Sequence, residues 1–126
     1  MKTLFFTTVL LLCSASTWSS SQLELHENKS LVCPLYHAYK LKSKVEDLPN
    51  DKLIHCSLSC MISLYCTKFD VFSIGVIKEV ADALGMGDPD YKDILANIKG
   101  IELSSDAQED EECIPLCENF YGEGAE

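Results

Sequence analysis

Apolar side chains recur at helical spacing along most of this chain, and the pattern predicts an all-α fold of four or five helices. A first short helix is expected over residues 33–44. A second helix should begin after Asn50 or Asp51, which are good N-terminal caps, and run to about Cys66. This second segment is apolar almost all round, which is typical of the central helix of a bundle.

Two more helices follow with one apolar stripe each. Residues 69–84 should form the first, ended by Gly85-Met86-Gly87, and its expected core stripe is Phe69, Phe72, Val76, Val80 and Ala83. The Asp88-Pro89 pair is typical of a helix start, and the helix that it opens should stop at Gly100. The expected core stripe of this next helix is Tyr91, Ile94, Leu95 and Ile98.

The last helix is expected to begin near Ser104 or Ser105 and to run to about Phe120. Ser105 and Gln108 have the spacing of a capping box, and acidic residues follow them, which favours a helix N-terminus. No segment has the alternating pattern of a strand.

The N-terminus has the pattern of a secretory signal peptide. Lys2 precedes a mainly apolar run over residues 4–12, and small and polar residues follow it. We expect a leader over residues 1–21, cleaved between 16 and 21, and a single domain over 22–126. The apolar run has roughly half the ~20 residues that a membrane span requires, and no later segment is longer, so no transmembrane anchor is expected.

Cysteine spacing is the strongest evidence for the fold. The chain has seven cysteines. Cys13 leaves with the leader, and an even number in an exported chain favours three disulfides. Residues four apart share one face of a helix, so two helices could be joined by parallel bridges. An antiparallel arrangement pairs Cys56 with Cys117, Cys60 with Cys113 and, by elimination, Cys33 with Cys66. A parallel arrangement exchanges the partners of the first two.

Charge excludes some partners. Ten lysines and no arginine stand against 20 acidic residues, which gives a formal net charge of −10. Nucleic acid and anionic membrane surfaces need clustered basic residues, so neither is expected as a partner. An extracellular protein or a small apolar ligand fits better. Asn28-Lys29-Ser30 is a candidate glycosylation sequence in an exported chain.

One constellation of polar residues is a candidate for chemistry. If the helix faces converge, a polar cluster would form inside the bundle from His55, Glu79, Asp82, Asp93 and Asn97. A histidine oriented by a carboxylate could act in acid–base catalysis, and the oxygens could hold calcium. Ordinary structural roles are expected more strongly than either, including an ion pair between Lys78 and Asp82. We therefore expect no cofactor and no metal, and the cysteine spacing is not that of a zinc site.

A longer pattern passes through the same residues. His55-Cys56-x-x-x-Cys60, then Gly75-x-x-Lys78-Glu79-x-x-Asp82, then Asp93-x-x-Ala96-Asn97-x-x-Gly100 resembles a pattern in small uncharacterised secreted animal proteins. A similar string occurs near the ends of some bacterial secreted, toxin-like proteins. The resemblance implies that the polar stripe and the cysteine framework belong together.

Insect odorant-binding proteins are also similar in being secreted, acidic, helical and rich in cysteine. The spacing differs, because Cys66 follows Cys60 too closely and the last pair is Cys113-x-x-x-Cys117. Three functions stay open. The first is a secreted, disulfide-stabilised binding protein, such as an extracellular effector or a toxin-like venom or salivary component. The others are a carrier of small hydrophobic ligands and a small hydrolase that uses His55 with a carboxylate. Binding is expected rather than catalysis.

Overall fold

The computed structural model describes residues 31–122, which form five α-helices and no strand. They are α1 (Val32–Leu41), α2 (Asp51–Ser63), α3 (Lys68–Ala81), α4 (Tyr91–Leu103) and α5 (Asp110–Tyr121). A 3₁₀ turn continues α1, and a π-helical turn continues α3 as far as Met86. The predicted small, disulfide-stapled all-α bundle is confirmed. The predicted leader and the sequence at Asn28 lie outside the described residues.

Side-chain caps begin α2 and α3. The Asn50 side chain accepts a hydrogen bond from the backbone N–H of Leu53 at 2.8 Å, as expected from the sequence. Thr67 caps α3 in the same way through the N–H of Asp70. These caps occupy backbone donors that have no partner within the helix, and they fix where each helix starts.

The other two predicted starts are wrong. Helix α4 begins after Asp90, two residues beyond the Asp88-Pro89 pair, because Asp90 is the residue whose carboxylate caps the first turn. Helix α5 begins after Glu109, which forms a capping box with Glu112. Because Glu112 also accepts from the N–H of Gln108, the acidic run itself sets the start of this helix.

Gly100 does not end α4, which continues to Leu103. A Cβ atom at position 100 would overlap the backbone carbonyl of Cys56 on α2. The glycine therefore serves close packing between two helices rather than termination. Helices α2 and α4 accordingly share the most extensive contact of the bundle.

Three disulfides join the helices. Cys56 pairs with Cys117 and Cys60 with Cys113, so two bridges fasten α2 to α5. These are the pairs of the antiparallel arrangement. The third bridge joins Cys33 at the start of α1 to Cys66, just beyond the end of α2. With all six of these cysteines bonded, the framework holds α2 at the centre, where it contacts the four other helices.

The predicted core stripes of α3 and α4 are wrong. On α3, Phe69 is 75% exposed and Val80 is 54% exposed, whereas Val71, Gly75 and Glu79 are buried. On α4, the exposed residues include Tyr91, Leu95 and Ile98, and the buried ones are Asp93, Ala96, Asn97 and Gly100. The two helices turn their small and polar faces inward because the buried polar groups find partners. Asp93 and Asn97 contact side chains of α2, and Glu79 contacts Lys78 and the backbone N–H of Asp90. No helix within residues 31–122 has the length and apolar character needed to cross a membrane.

Candidate functional site

Polar side chains of α2 and α4 meet at the closest contact of the bundle. On α2, Lys52, His55 and Ser59 lie on one face because they are three and four residues apart. On α4, Asp93 and Asn97 are four apart and both are buried. The close approach at Gly100 brings these two faces within hydrogen-bonding distance.

Asn97 is held by two side chains of α2. Ser59 donates its hydroxyl to Asn97 Oδ1 at 2.8 Å, and His55 Nδ1 lies 3.2 Å from the same oxygen. An amide oxygen accepts, so this contact places the ring proton of His55 on Nδ1. Gly75 on α3 makes room for the amide, since a Cβ atom there would lie 2.6 Å from Asn97 Nδ2.

The other ring nitrogen of His55 faces two carboxylates. Nε2 lies 3.5 Å from Oδ2 of buried Asp93 and 3.7 Å from Oδ1 of Asp51. Asp51 is exposed and stands one turn before His55 on the same helix. These three side chains could hold a metal ion, because each offers one ligand atom and the three atoms lie within 4.8 Å of one another.

Lys52 neutralises part of this acidic cluster. Its ammonium group donates to Asp90 Oδ2 at 2.6 Å and also to Asp93 Oδ1. Burial lowers the pKa of Lys52, but the hydrogen bonds to Asp90 and Asp93 outweigh it, and the pKa lies above its usual value. The same contact with Lys52, and then the N–H of Lys92, hold the pKa of Asp90 below its usual value. At neutral pH the pair is therefore ionised.

Glu79 and Asp82 form a separate group on α3. Buried Glu79 accepts a hydrogen bond from the backbone N–H of Asp90 at 3.0 Å, which fixes the start of α4. Lys78 contacts Glu79 at 3.2 Å and Asp82 at 2.7 Å, so the ion pair between Lys78 and Asp82 is present. Burial lowers the pKa of Lys78, but its hydrogen bonds to these two carboxylates raise it overall.

An apolar pocket of about 440 Å³ opens beside the polar cluster, between α1, α2 and α3. Aliphatic side chains form most of its walls: Ala38, Val45, Ile54, Leu58, Ile62, Val71 and Ile74. His55, Ser59 and Asn97 also line it, so the polar cluster borders the pocket. Exposed charged side chains at the mouth are Lys42, Glu46, Asp51 and Lys78.

The structure brings together three of the five predicted site residues. His55, Asp93 and Asn97 are in contact, whereas Glu79 and Asp82 form hydrogen bonds with Lys78 and the start of α4. Sequence reasoning missed Lys52, Ser59 and Asp90. The first two stand three residues before and four residues after His55, so the helical spacing that grouped the other candidates would also have found them.

No protein-family model matches the chain, and neither the curated proteins nor the solved structures give a significant match.

Proposed function

We propose that the mature protein is secreted and acts by binding a small apolar ligand that carries one polar group. The observation that best supports this proposal is the aliphatic pocket of about 440 Å³ between α1, α2 and α3. Small-molecule sites commonly have volumes of about 300–1,000 Å³, with apolar walls and a few polar groups that fix orientation. This pocket has both features.

The polar group of the ligand would meet the Asn97 amide. Within the described residues, both hydrogen bonds to Asn97 reach its Oδ1 atom. The Nδ2 group faces Gly75, which also lines the pocket. A carbonyl, ether or hydroxyl oxygen on the ligand is the acceptor that this N–H group fits. Charges of both signs at the mouth favour a ligand without strong net charge.

Secretion is supported by the disulfides. All six cysteines among residues 31–122 are paired, and disulfides persist in oxidising compartments such as the extracellular space. The Cys33–Cys66 bridge also ties α1 to the segment just after α2, and both of these helices line the pocket. An effector or toxin-like role remains compatible with the same binding chemistry.

The hydrolase alternative has less support from the geometry. His55 Nδ1 faces Asn97, and Ser59 donates its hydroxyl to the same amide rather than to the imidazole. The predicted hydrolase uses His55 with a carboxylate, and the nearest carboxylate oxygen, Asp93 Oδ2, lies 3.5 Å from Nε2, beyond the usual range for a hydrogen bond. The His55 contacts therefore favour a fixed polar wall over a general base.

The binding proposal is tested by titrating the oxidised protein with N-phenyl-1-naphthylamine, a neutral apolar dye whose fluorescence rises in apolar sites. We expect saturable binding at one site. Ile74→Trp should weaken the affinity at least tenfold, because Ile74 lines the pocket and the larger ring would occupy it.

Ile77→Trp is the matched control. Ile77 stands three residues later on α3, is 48% exposed and does not line the pocket, so this variant should bind the dye as the unmodified protein does. Equal affinity in both variants, or dye binding that does not saturate, would contradict the proposal.

A further inference from the structure

The contacts of His55 Nε2 are too long for hydrogen bonds. The distances to Asp93 Oδ2 and Asp51 Oδ1 are 3.5 and 3.7 Å, beyond the range of about 2.7–3.2 Å for an N–H···O bond. Zinc bonds to nitrogen and oxygen of about 2.1 Å place two ligands of one tetrahedral ion about 3.4 Å apart. The observed spacing is close to that of ligands around a shared ion.

The tautomer of His55 points to the same conclusion. The Nδ1 proton is directed at Asn97 Oδ1, so in the neutral imidazole Nε2 has a lone pair that faces two carboxylate oxygens. Histidines that bind metals commonly donate their other N–H group to a carbonyl or carboxylate oxygen. Ser59 holds that carbonyl in place. With the imidazole neutral, these three lone-pair atoms face one another, which is the arrangement that a bound cation stabilises.

The charge of the cluster matches a divalent ion. Three carboxylates, those of Asp51, Asp90 and Asp93, surround the single ammonium group of Lys52. With a neutral imidazole at His55 the net charge is −2. Lys52 contacts Oδ1 of Asp93, which leaves Oδ2 directed at His55. The lysine therefore orients this carboxylate without blocking the atom that faces the imidazole.

We propose that Asp51 Oδ1, His55 Nε2 and Asp93 Oδ2 bind one zinc ion at the wall of the apolar pocket. A nitrogen ligand favours zinc over calcium, which takes oxygen ligands almost exclusively. Three protein ligands leave a fourth position for water or for a polar group of a bound molecule. Asp51 and His55 both line the pocket, so this position is reached from there. The site does not depend on the apolar ligand.

Calorimetric titration of the oxidised, chelator-treated protein with zinc chloride tests the site. We expect one ion bound per chain. Asp51→Asn should weaken zinc binding at least tenfold, and because Asp51 is exposed the fold should be unaffected. Asp47→Asn is the matched control, since Asp47 is an exposed acid in the segment before α2 that is outside the cluster. The zinc affinity of Asp47→Asn should equal that of the unmodified protein.

His55→Gln gives a second measurement. It should lower the zinc affinity at least tenfold and abolish the absorption bands of four-coordinate cobalt(II) when cobalt replaces zinc. Circular dichroism shows whether this variant folds, and Asp51→Asn decides the question if it does not. The proposal is overturned if the unmodified protein binds no zinc. It is equally overturned if Asp51→Asn and Asp47→Asn bind zinc with equal affinity, because adsorption to the acidic surface would then explain the binding.

Discussion

The backbone carbonyl of Cys56 occupies the space that a Cβ atom at position 100 would need, so Gly100 lets α4 approach α2 more closely than any other residue would allow. Asn97 and Asp93 stand three and seven residues before Gly100 on the same helix face. This approach is what brings them to Ser59 and His55. The polar cluster therefore depends on the absence of a side chain at position 100.

Gly100→Ala should destabilise the protein although alanine is the better helix former. The helix propensity gain is about 1 kcal/mol. The overlap is with backbone, which cannot rotate away. Forcing the helices apart should cost about 2–3 kcal/mol, the upper part of the usual range for overpacking, for a net loss of about 1–2 kcal/mol. Urea denaturation measures the loss. Lys92→Ala, an exposed change on the same helix, should stay within about 0.5 kcal/mol, and an equal response of both variants would show that the contact is looser.

Two leucines test which faces of the helices are buried. Leu53 on α2 is 1% exposed, whereas Leu95 on α4 is 53% exposed. Leu53→Ala should lower the free energy of unfolding by about 2–5 kcal/mol, because it leaves a cavity in the core. Leu95→Ala should change it by less than about 1 kcal/mol. A large decrease in the free energy of unfolding of Leu95→Ala, measured by urea denaturation, would instead support the core stripe that the sequence predicts for α4.

The wrong core stripes show what helical periodicity can and cannot give. It identifies α3 and α4 as helices, because each has residues of like character three and four positions apart. Periodicity alone cannot identify which face of a helix is buried when the buried face is polar and its partners lie in distant parts of the sequence. Glu79 is buried because the N–H of Asp90, eleven residues later, needs an acceptor. That partnership depends on tertiary structure and leaves no local pattern in the sequence.

The candidate site was predictable to the extent that it follows helix spacing and one contact between helices. Convergence of His55, Asp93 and Asn97 is an expectation from the sequence, and the structure places them together. The apolar pocket was not predictable from spacing, because its walls come from three helices and the segment after α1. A shared cavity has no periodicity of its own.

The ion pair between Lys52 and Asp90 should give stability a defined pH range. The pKa of Asp90 is lowered, so its contribution is present above the unfolded value of 3.8 and is lost as the pH falls below it. The pKa of Lys52 is raised, so its contribution is present below 10.5 and is lost only at higher pH. The contribution of this pair to the urea midpoint should therefore be constant between about pH 5 and 9.

Lys52→Met is the variant that checks this assignment. It removes the hydrogen bond that lowers the pKa of Asp90, so the loss of stability between about pH 5 and 3 should be smaller than in the unmodified protein. Lys92→Met is the control, because it also removes one lysine but keeps the backbone N–H that contacts Asp90, and the Lys92 charge is the smallest of the causes that lower the pKa of Asp90. If the loss of stability between about pH 5 and 3 is the same in Lys52→Met as in the unmodified protein, carboxylates other than Asp90 cause that loss.

The disulfides should differ in their contribution to stability. Replacing Cys56 and Cys117 together by alanine opens a bridge between residues 61 positions apart and leaves buried space. The Cys33–Cys66 bridge spans 33 positions and is half-buried. Each double variant should lose about 2–5 kcal/mol, and the first should lose more, because longer loops lose more entropy on closure. If urea denaturation shows the larger loss for the variant without Cys33–Cys66, the junction of α1 and α2 contributes more to stability than the bridge between α2 and α5.

Gly75 and Asn97 should show strong energetic coupling. A Cβ atom at position 75 would lie 2.6 Å from Asn97 Nδ2, so Gly75→Ala must displace the amide and weaken its contacts with Ser59 and His55. We expect a loss of about 1–3 kcal/mol. Asn97→Ala removes the obstacle, so Gly75→Ala should cost little in that background, with a coupling energy of about 0.5–3 kcal/mol. A double-mutant cycle by urea denaturation measures it. Additive losses would mean that the glycine accommodates the helix backbone and has no part in positioning Asn97.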